Sequence, residues 1–179
     1  MEHKNFFLSL LSEDRSDAVA VLKGNSTYPD LNGITKFYSL PESGMLIAVE
    51  ISDLPDGTNE DTPTFFAFHI HESGDCNNNF ENTGNHYNPD NVPHPQHAGD
   101  LPPLIANDGY VWMVFYDSFL TLPMIVNRSV VIHQNPDDFT TQPSGNAGEK
   151  IACGVITKNS EGMPTRPYDN STDKGEDRL

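Results

Sequence analysis

Thr64-Phe65-Phe66-Ala67-Phe68-His69-Ile70-His71 is a short, apolar, phenylalanine-rich run that ends at Glu72-Ser73-Gly74-Asp75. It reads as a β-strand. Side chains alternate across a strand, so His69 and His71 leave the same face and can reach one ion. A single such pair is equally compatible with a polar strand face. Residues 72–100 follow, with almost no aliphatics but many Asn, Pro, Gly and His. A structureless stretch of that length is rare in a compact domain and is usually functional.

The same strand signature recurs on both sides. Ala18–Leu22 ends at Lys23-Gly24, Gly33–Tyr38 alternates, and Met45–Ile51 stops at the turn signal Asp53-Leu54-Pro55-Asp56-Gly57. Tyr110–Tyr116 and Arg128–His133 are further strands, a second polar loop spans 134–149, and Ile151–Thr157 closes the set. Fourteen prolines and thirteen glycines fit short strands joined by stiff loops. Seven or eight such strands indicate an all-β sandwich or barrel. At 179 residues there is room for one domain, expected over 17–157. Residues 1–16 form a lead-in, and 158–179 read as a polar, disordered tail.

Ten basic against 26 acidic residues leave a formal charge of −16. That argues against nucleic acid or an anionic membrane as partner. No run approaches the roughly 20 apolar residues of a membrane span. Phe6–Leu11 is too short for a secretory signal and meets Glu13-Asp14-Arg15 at once, so a cytoplasmic location is expected. On that basis the Asn-x-Ser/Thr sequons at Asn25, Asn127 and Asn170 are read as chance. The two cysteines pull the other way, because a disulfide is unusual in a reducing cytosol.

The seven histidines are His3, His69, His71, His86, His94, His97 and His133. His94, His97 and Asp100 recur at three-residue intervals in a proline-braced loop, a donor set suited to zinc or a similar ion. His133 ends an apolar strand where a core would prefer an aliphatic residue. Two four-coordinate ions need eight contacts, and His69, His71, His86, His94, His97, His133 and Asp100 are seven residues. One histidine using both ring nitrogens would close the count.

Phe68-His69-Ile70-His71-Glu72 with Gly74-Asp75-Cys76 resembles the first copper motif of the copper–zinc superoxide dismutases. Gly84-Asn85-His86-Tyr87-Asn88-Pro89 is similar to the segment carrying their bridging histidine, and His97-Ala98-Gly99-Asp100-Leu101 to their zinc motif. Val130-Val131-Ile132-His133 with Asp137-Asp138 resembles the last copper ligand. Gly145-Asn146-Ala147-Gly148 and Ala152-Cys153-Gly154-Val155-Ile156 resemble the C-terminal signature. Together these span roughly Ala18 to Ile156.

The resemblance implies an eight-stranded Greek-key β-barrel, a flattened immunoglobulin-like sandwich with two long functional loops. It implies copper on His69, His71, His86 and His133, and zinc on His86, His94, His97 and Asp100, with His86 shared. Asp137 would link a copper-site and a zinc-site histidine as an outer partner. Cys76 and Cys153 would form a disulfide worth about 4–5 kcal/mol on the chain-entropy model.

The implied activity is dismutation of superoxide anion to dioxygen and hydrogen peroxide through a Cu(II)/Cu(I) cycle, with His86 relaying a proton and zinc holding the loop. Lys150 stands where the family most often has an arginine beside the copper. Lysine keeps the charge and loses the planar fork of donors. Guidance of the anion by Lys150 is expected at a lower rate. Only two residues separate His94 from His97, fewer than in the family's better-known members. The alternative is a non-enzymatic copper or zinc carrier on the same fold. Monomer and homodimer both remain open.

Overall fold

The computed structural model describes residues 15–55 and 65–159; the expected tail beyond residue 159 and the lead-in before residue 15 lie outside them. Among these residues nine strands form: β1 (Ala18–Gly24), β2 (Asn32–Ser39), β3 (Met45–Ser52), β4 (Phe65–Phe66), β5 (Phe68–His71), β6 (Leu104–Ile105), β7 (Val111–Asp117), β8 (Ser129–His133) and β9 (Lys150–Lys158). Among the described residues the helical content is a 3-10 turn at Glu81–Thr83 and one four-residue helix, α1 (Leu122–Ile125).

Seven strands make one curled antiparallel sheet in the order β5-β8-β9-β1-β2-β3-β7, and β4 pairs with β6. After β3 the chain crosses to β4 and β5 at the far edge, then returns to place β7 beside β3. Such long connections are those of a Greek key. The architecture is a nearly all-β curled sheet consistent with the barrel the sequence implies.

The expected fourth strand is divided at Ala67, and with the unexpected β6 this turns the seven strands read from the sequence into nine. The ladder nonetheless runs through the break. Ala67 N donates to Asn135 O and Ala67 O accepts from His133 N, each at 2.9 Å. A register irregularity between Ile132 and His133 falls beside it. Such bulges re-aim side chains next to functional sites.

Period-two alternation sorts the residues. Ala18, Ala20 and Leu22 of β1, Ile47, Val49 and Ile51 of β3, Phe68 and Ile70 of β5, and Val130 and Ile132 of β8 share the core. His69, His71 and His133 lie out of phase with these residues, so they leave the opposite face of the same wall. They are still buried, at 0%, 2% and 4% exposure, because the two polar loops cover that face.

Cys153 of β9 pairs in register with Val131 and forms a disulfide with Cys76, 77 residues away, at a Cα separation of 5.9 Å. The bond ties the first polar loop to the outer face of the wall, where Phe80 and Val131 pack with it.

Candidate metal centre

β5 sits at the edge of the large sheet, so one row of its backbone groups needs partners. The first loop supplies them twice. Glu72 N donates to Asn85 O and Tyr87 N to Ile70 O, while Ile70 N donates to Gly99 O and Leu101 N to Phe68 O. These bonds lay residues 85–87 and 99–101 along β5. His71 comes opposite His86, and His69 opposite Asp100. Backbone pairing therefore delivers loop residues to strand residues.

Two groups of donor atoms result, each with its atoms within 4.8 Å of one another. One is His69, His71, His86 and His133; the other is His86, His94, His97 and Asp100. His86 belongs to both. His3 is outside the described residues.

Hydrogen bonds decide which nitrogen of each ring is free. A carbonyl only accepts, so His71 Nδ1 carries its proton toward Gly84 O (2.9 Å) and His133 Nδ1 toward Gly148 O (3.3 Å). The Asp137 carboxylate accepts from His69 Nε2 and from His94 Nε2, both at 2.9 Å. This leaves His71 Nε2 and His133 Nε2 as lone pairs facing each other at 3.1 Å. Such a pair repels unless a cation lies between.

His69 Nδ1, His86 Nε2 and His94 Nδ1 are buried without hydrogen-bond partners, although His94 Nδ1 lies 3.0 Å from Asp100 Oδ2. Buried orphans of this kind call for an explanation. Metal ions at both clusters would satisfy all of them. In the second cluster His86 Nδ1 lies 2.7 Å from Asp100 Oδ1, and His97 Nδ1 3.3 Å from Asp100 Oδ2. Three imidazoles and a carboxylate suit zinc; four imidazoles suit copper.

Titration leaves these donor rings ready to bind a metal. Burial, then the neighbouring His133 and His86, pushes the His71 imidazole down to about 2. Burial and then His69 lower His133 to about 3. Both rings are neutral at pH 7, as ligation requires. Burial also lowers His69, against the hydrogen bond it donates to Asp137. Burial raises Asp137, but hydrogen bonds from His69, the Phe139 amide and His94 prevail and hold it at about 2. Asp100 is held low in the same way, chiefly by His86.

Gly145 explains part of the C-terminal signature. Its φ is +67°, and a Cβ there would collide with Asp137 Oδ1 and crowd His94 Nε2. Only glycine lets the second loop pass so close to the bridging carboxylate.

A cavity of about 510 Å³ opens onto the centre, lined by His71, His86, His97 and His133 together with Glu72 and Lys150. Lys150 is the one cation on its lining. Its Nζ lies 3.3 Å from Phe80 O, 3.1 Å from Thr83 Oγ1 and 3.2 Å from Gly84 O. An ammonium has three hydrogens, and here three oxygens of the first loop accept them. Burial lowers its pKa, against the pull of Glu81. Arg128 turns away from the cavity, donating to Met124 O and Glu72 O and stacking 3.6 Å over the Tyr87 ring.

Gln142 escaped the sequence reading. Its side chain accepts from His94 N at 3.0 Å and donates to His94 O at 2.7 Å, so the second loop grips the backbone of a donor residue in the first. Nothing in its spacing marks it. The Gly84 and Gly148 carbonyls escaped for the same reason, since every residue has one.

The family model described as copper/zinc superoxide dismutase (SODC) matches residues 31–156. The extracellular superoxide dismutase [Cu-Zn] of Rattus norvegicus is 36% identical over 144 residues, which is 74% of this chain and 58% of its own length. Extracellular enzymes of Mus musculus and Homo sapiens match as well. The copper chaperone for superoxide dismutase of Homo sapiens is 33% identical over 156 residues, 80% of this chain and 53% of its own length. The chain thus spans little more than half the length of these relatives. Among solved structures, the clock protein EA4 aligns with a TM-score of 0.68 at 30% identity, covering 79% of this chain and 94% of that one.

These relatives overturn the expectation of a cytoplasmic chain. The matching dismutases of rat, mouse and human are extracellular, which points to secretion. The formed Cys76–Cys153 disulfide suits an oxidising compartment. The family implies copper and zinc, and two histidine-rich clusters sharing one ring can hold them. With motifs, sheet order and donor groups in agreement, this chain belongs to the copper/zinc superoxide dismutase family.

Proposed function

We propose that this chain is a superoxide dismutase, with copper at His69, His71, His86 and His133 and zinc at His86, His94, His97 and Asp100. The observation that carries this is the set of buried, partnerless nitrogens. His86 Nε2 belongs to one cluster, and its Nδ1 meets Asp100 in the other.

Copper bound there would supply the one-electron couple by which one superoxide leaves as dioxygen and a second as hydrogen peroxide. The chain's own residues do the rest. Asp137 fixes the His69 and His94 rings through their Nε2 atoms, and so aims both Nδ1 lone pairs. Gly84 O and Gly148 O do the same for His71 and His133. His86 Nε2 would hold a proton between the two half-reactions and pass it to the nascent peroxide, while Asp100 keeps Nδ1 in place. Lys150 gives the cavity mouth a positive field within a chain of charge −16. With exposed charges screened beyond about 8 Å at physiological salt, one local cation outweighs a diffuse negative field.

The match to the human copper chaperone favours a second reading, a copper carrier without turnover. Loading the full chain and measuring bound metals alongside superoxide consumption separates the two. One copper and one zinc per chain with sustained turnover supports the enzyme; the same metals without turnover favours the carrier.

A further inference from the structure

We propose that Asn127 carries an N-linked oligosaccharide. This rests on passage through a secretory pathway, to which the extracellular relatives point. Asn25-Ser26-Thr27 and Asn127-Arg128-Ser129 both fit the acceptor pattern, with no proline in the middle. The fold treats them differently.

Asn25 is 8% exposed. Its Nδ2 donates to Lys150 O at 3.1 Å, and its Oδ1 accepts from the amides of Thr27 (2.9 Å) and Tyr28 (3.1 Å). A sugar on that nitrogen would lie between Asn25 and the first residue of β9, and the native cap would be lost. A chain modified there would not close this part of the barrel.

Asn127 is exposed, in the turn between α1 and β8. Arg128 N donates to Ile125 O at 3.1 Å. Val126 has φ −61° and ψ 139°, and Asn127 has φ +65°. That is a type II turn with Asn127 at its third position. Among the described residues its side-chain amide has no hydrogen-bond partner. It is also absent from the lining of the metal cavity, so a large substituent there leaves the entrance open.

Transfer would join Asn127 Nδ2 to the anomeric carbon of the sugar. It breaks that carbon's bond to the diphosphate of a lipid-linked oligosaccharide donor, and the amide proton leaves with the diphosphate. No electron changes hands. The step precedes folding, since Ser129 Oγ afterwards turns inward to donate to Ser73 O at 2.7 Å.

Backbone geometry alone would also favour asparagine at a positive φ, so the test uses glycine, which adopts that φ without strain. The full chain is led through a eukaryotic secretory pathway by an added leader. Its glycans are then released by an amidase in ¹⁸O-water and the sites mapped by peptide mass spectrometry. Asn127 is expected to become labelled aspartate while Asn25 stays asparagine. Asn127→Gly is expected to lose one glycan's mass. An unlabelled Asn127 in the secreted protein, or an Asn127→Gly chain with unchanged glycan mass, would overturn the proposal.

Discussion

The two donor clusters share His86 but are built from different material. In the four-histidine cluster, His69, His71 and His133 stand on β5 and β8, and strand register holds them. In the other, His86, His94, His97 and Asp100 all come from the first loop. The strand cluster is buried throughout, whereas His97 and Asp100 are only partly covered. The sheet thus builds one site directly. The other depends on whatever keeps the loop in place: the edge pairing with β5, the disulfide, Asp137 and Gln142. Perturbations of the loop should therefore release the second metal before the first.

The largest effect is expected from removing the disulfide. Cys76→Ser with Cys153→Ser should cost up to about 4–5 kcal/mol, read by denaturant unfolding. Zinc should dialyse away more readily than copper. Equal loss of both metals would erase the distinction between the clusters.

Asp137→Ala removes the carboxylate that accepts from His69 of one cluster and from His94 of the other. A drop of about 10–100-fold in metal affinity is expected, measured by competition with chelators, with the loop cluster losing more. Asp137→Asn should keep part of the effect, since an amide oxygen can still accept from one ring.

A gentler perturbation is pH, applied to the metal-free protein. His71 and His133 are neutral when folded, with pKa values of about 2 and about 3, and accept protons near 6.5 when unfolded. Their contribution to stability is complete above pH 6.5 and falls away as pH drops toward 3. Asp137 acts in a lower window: its contribution is present above about 3.8 and is lost as pH falls through about 2. Thermal unfolding followed against pH should show the strand cluster's loss first. A melting temperature flat from pH 7 to 4 would contradict the burial of these neutral rings.

The smallest effect belongs to Lys150. Lys150→Met should slow superoxide consumption by less than the roughly 10-fold lower bound of strong steering, and flatten its fall with ionic strength. Lys150→Arg should keep the salt dependence. If Lys150→Met leaves the salt dependence intact, the side chain serves only to clamp the loop.

Much of this was legible before any coordinates. Ala18–Leu22, Met45–Ile51 and Val130–Ile132 alternate or run apolar as half-buried strands must, so their existence and type survived into the structure. Two short elements did not announce themselves. β6 holds only Leu104–Ile105, and α1 only Leu122–Ile125 with Pro123 inside, too few residues for either period to register. β9 also runs one residue past its expected end, to Lys158, where pairing with Ala18 sustains it.

The donor residues and their spacing are a property of the chain, because imidazoles two apart on a strand share a face whatever surrounds them. Which ring nitrogen each offers is not. That depends on where the Gly84 and Gly148 carbonyls and the Asp137 carboxylate fall, and these arrive from 13 to 68 residues away. The same holds for Lys150, whose charge is written in the sequence but whose three hydrogens are spent on a loop some 66 to 70 residues distant. Hydrogen-bond direction is settled by three-dimensional neighbours, so the sequence could name the candidate donors and only the folded chain could aim them.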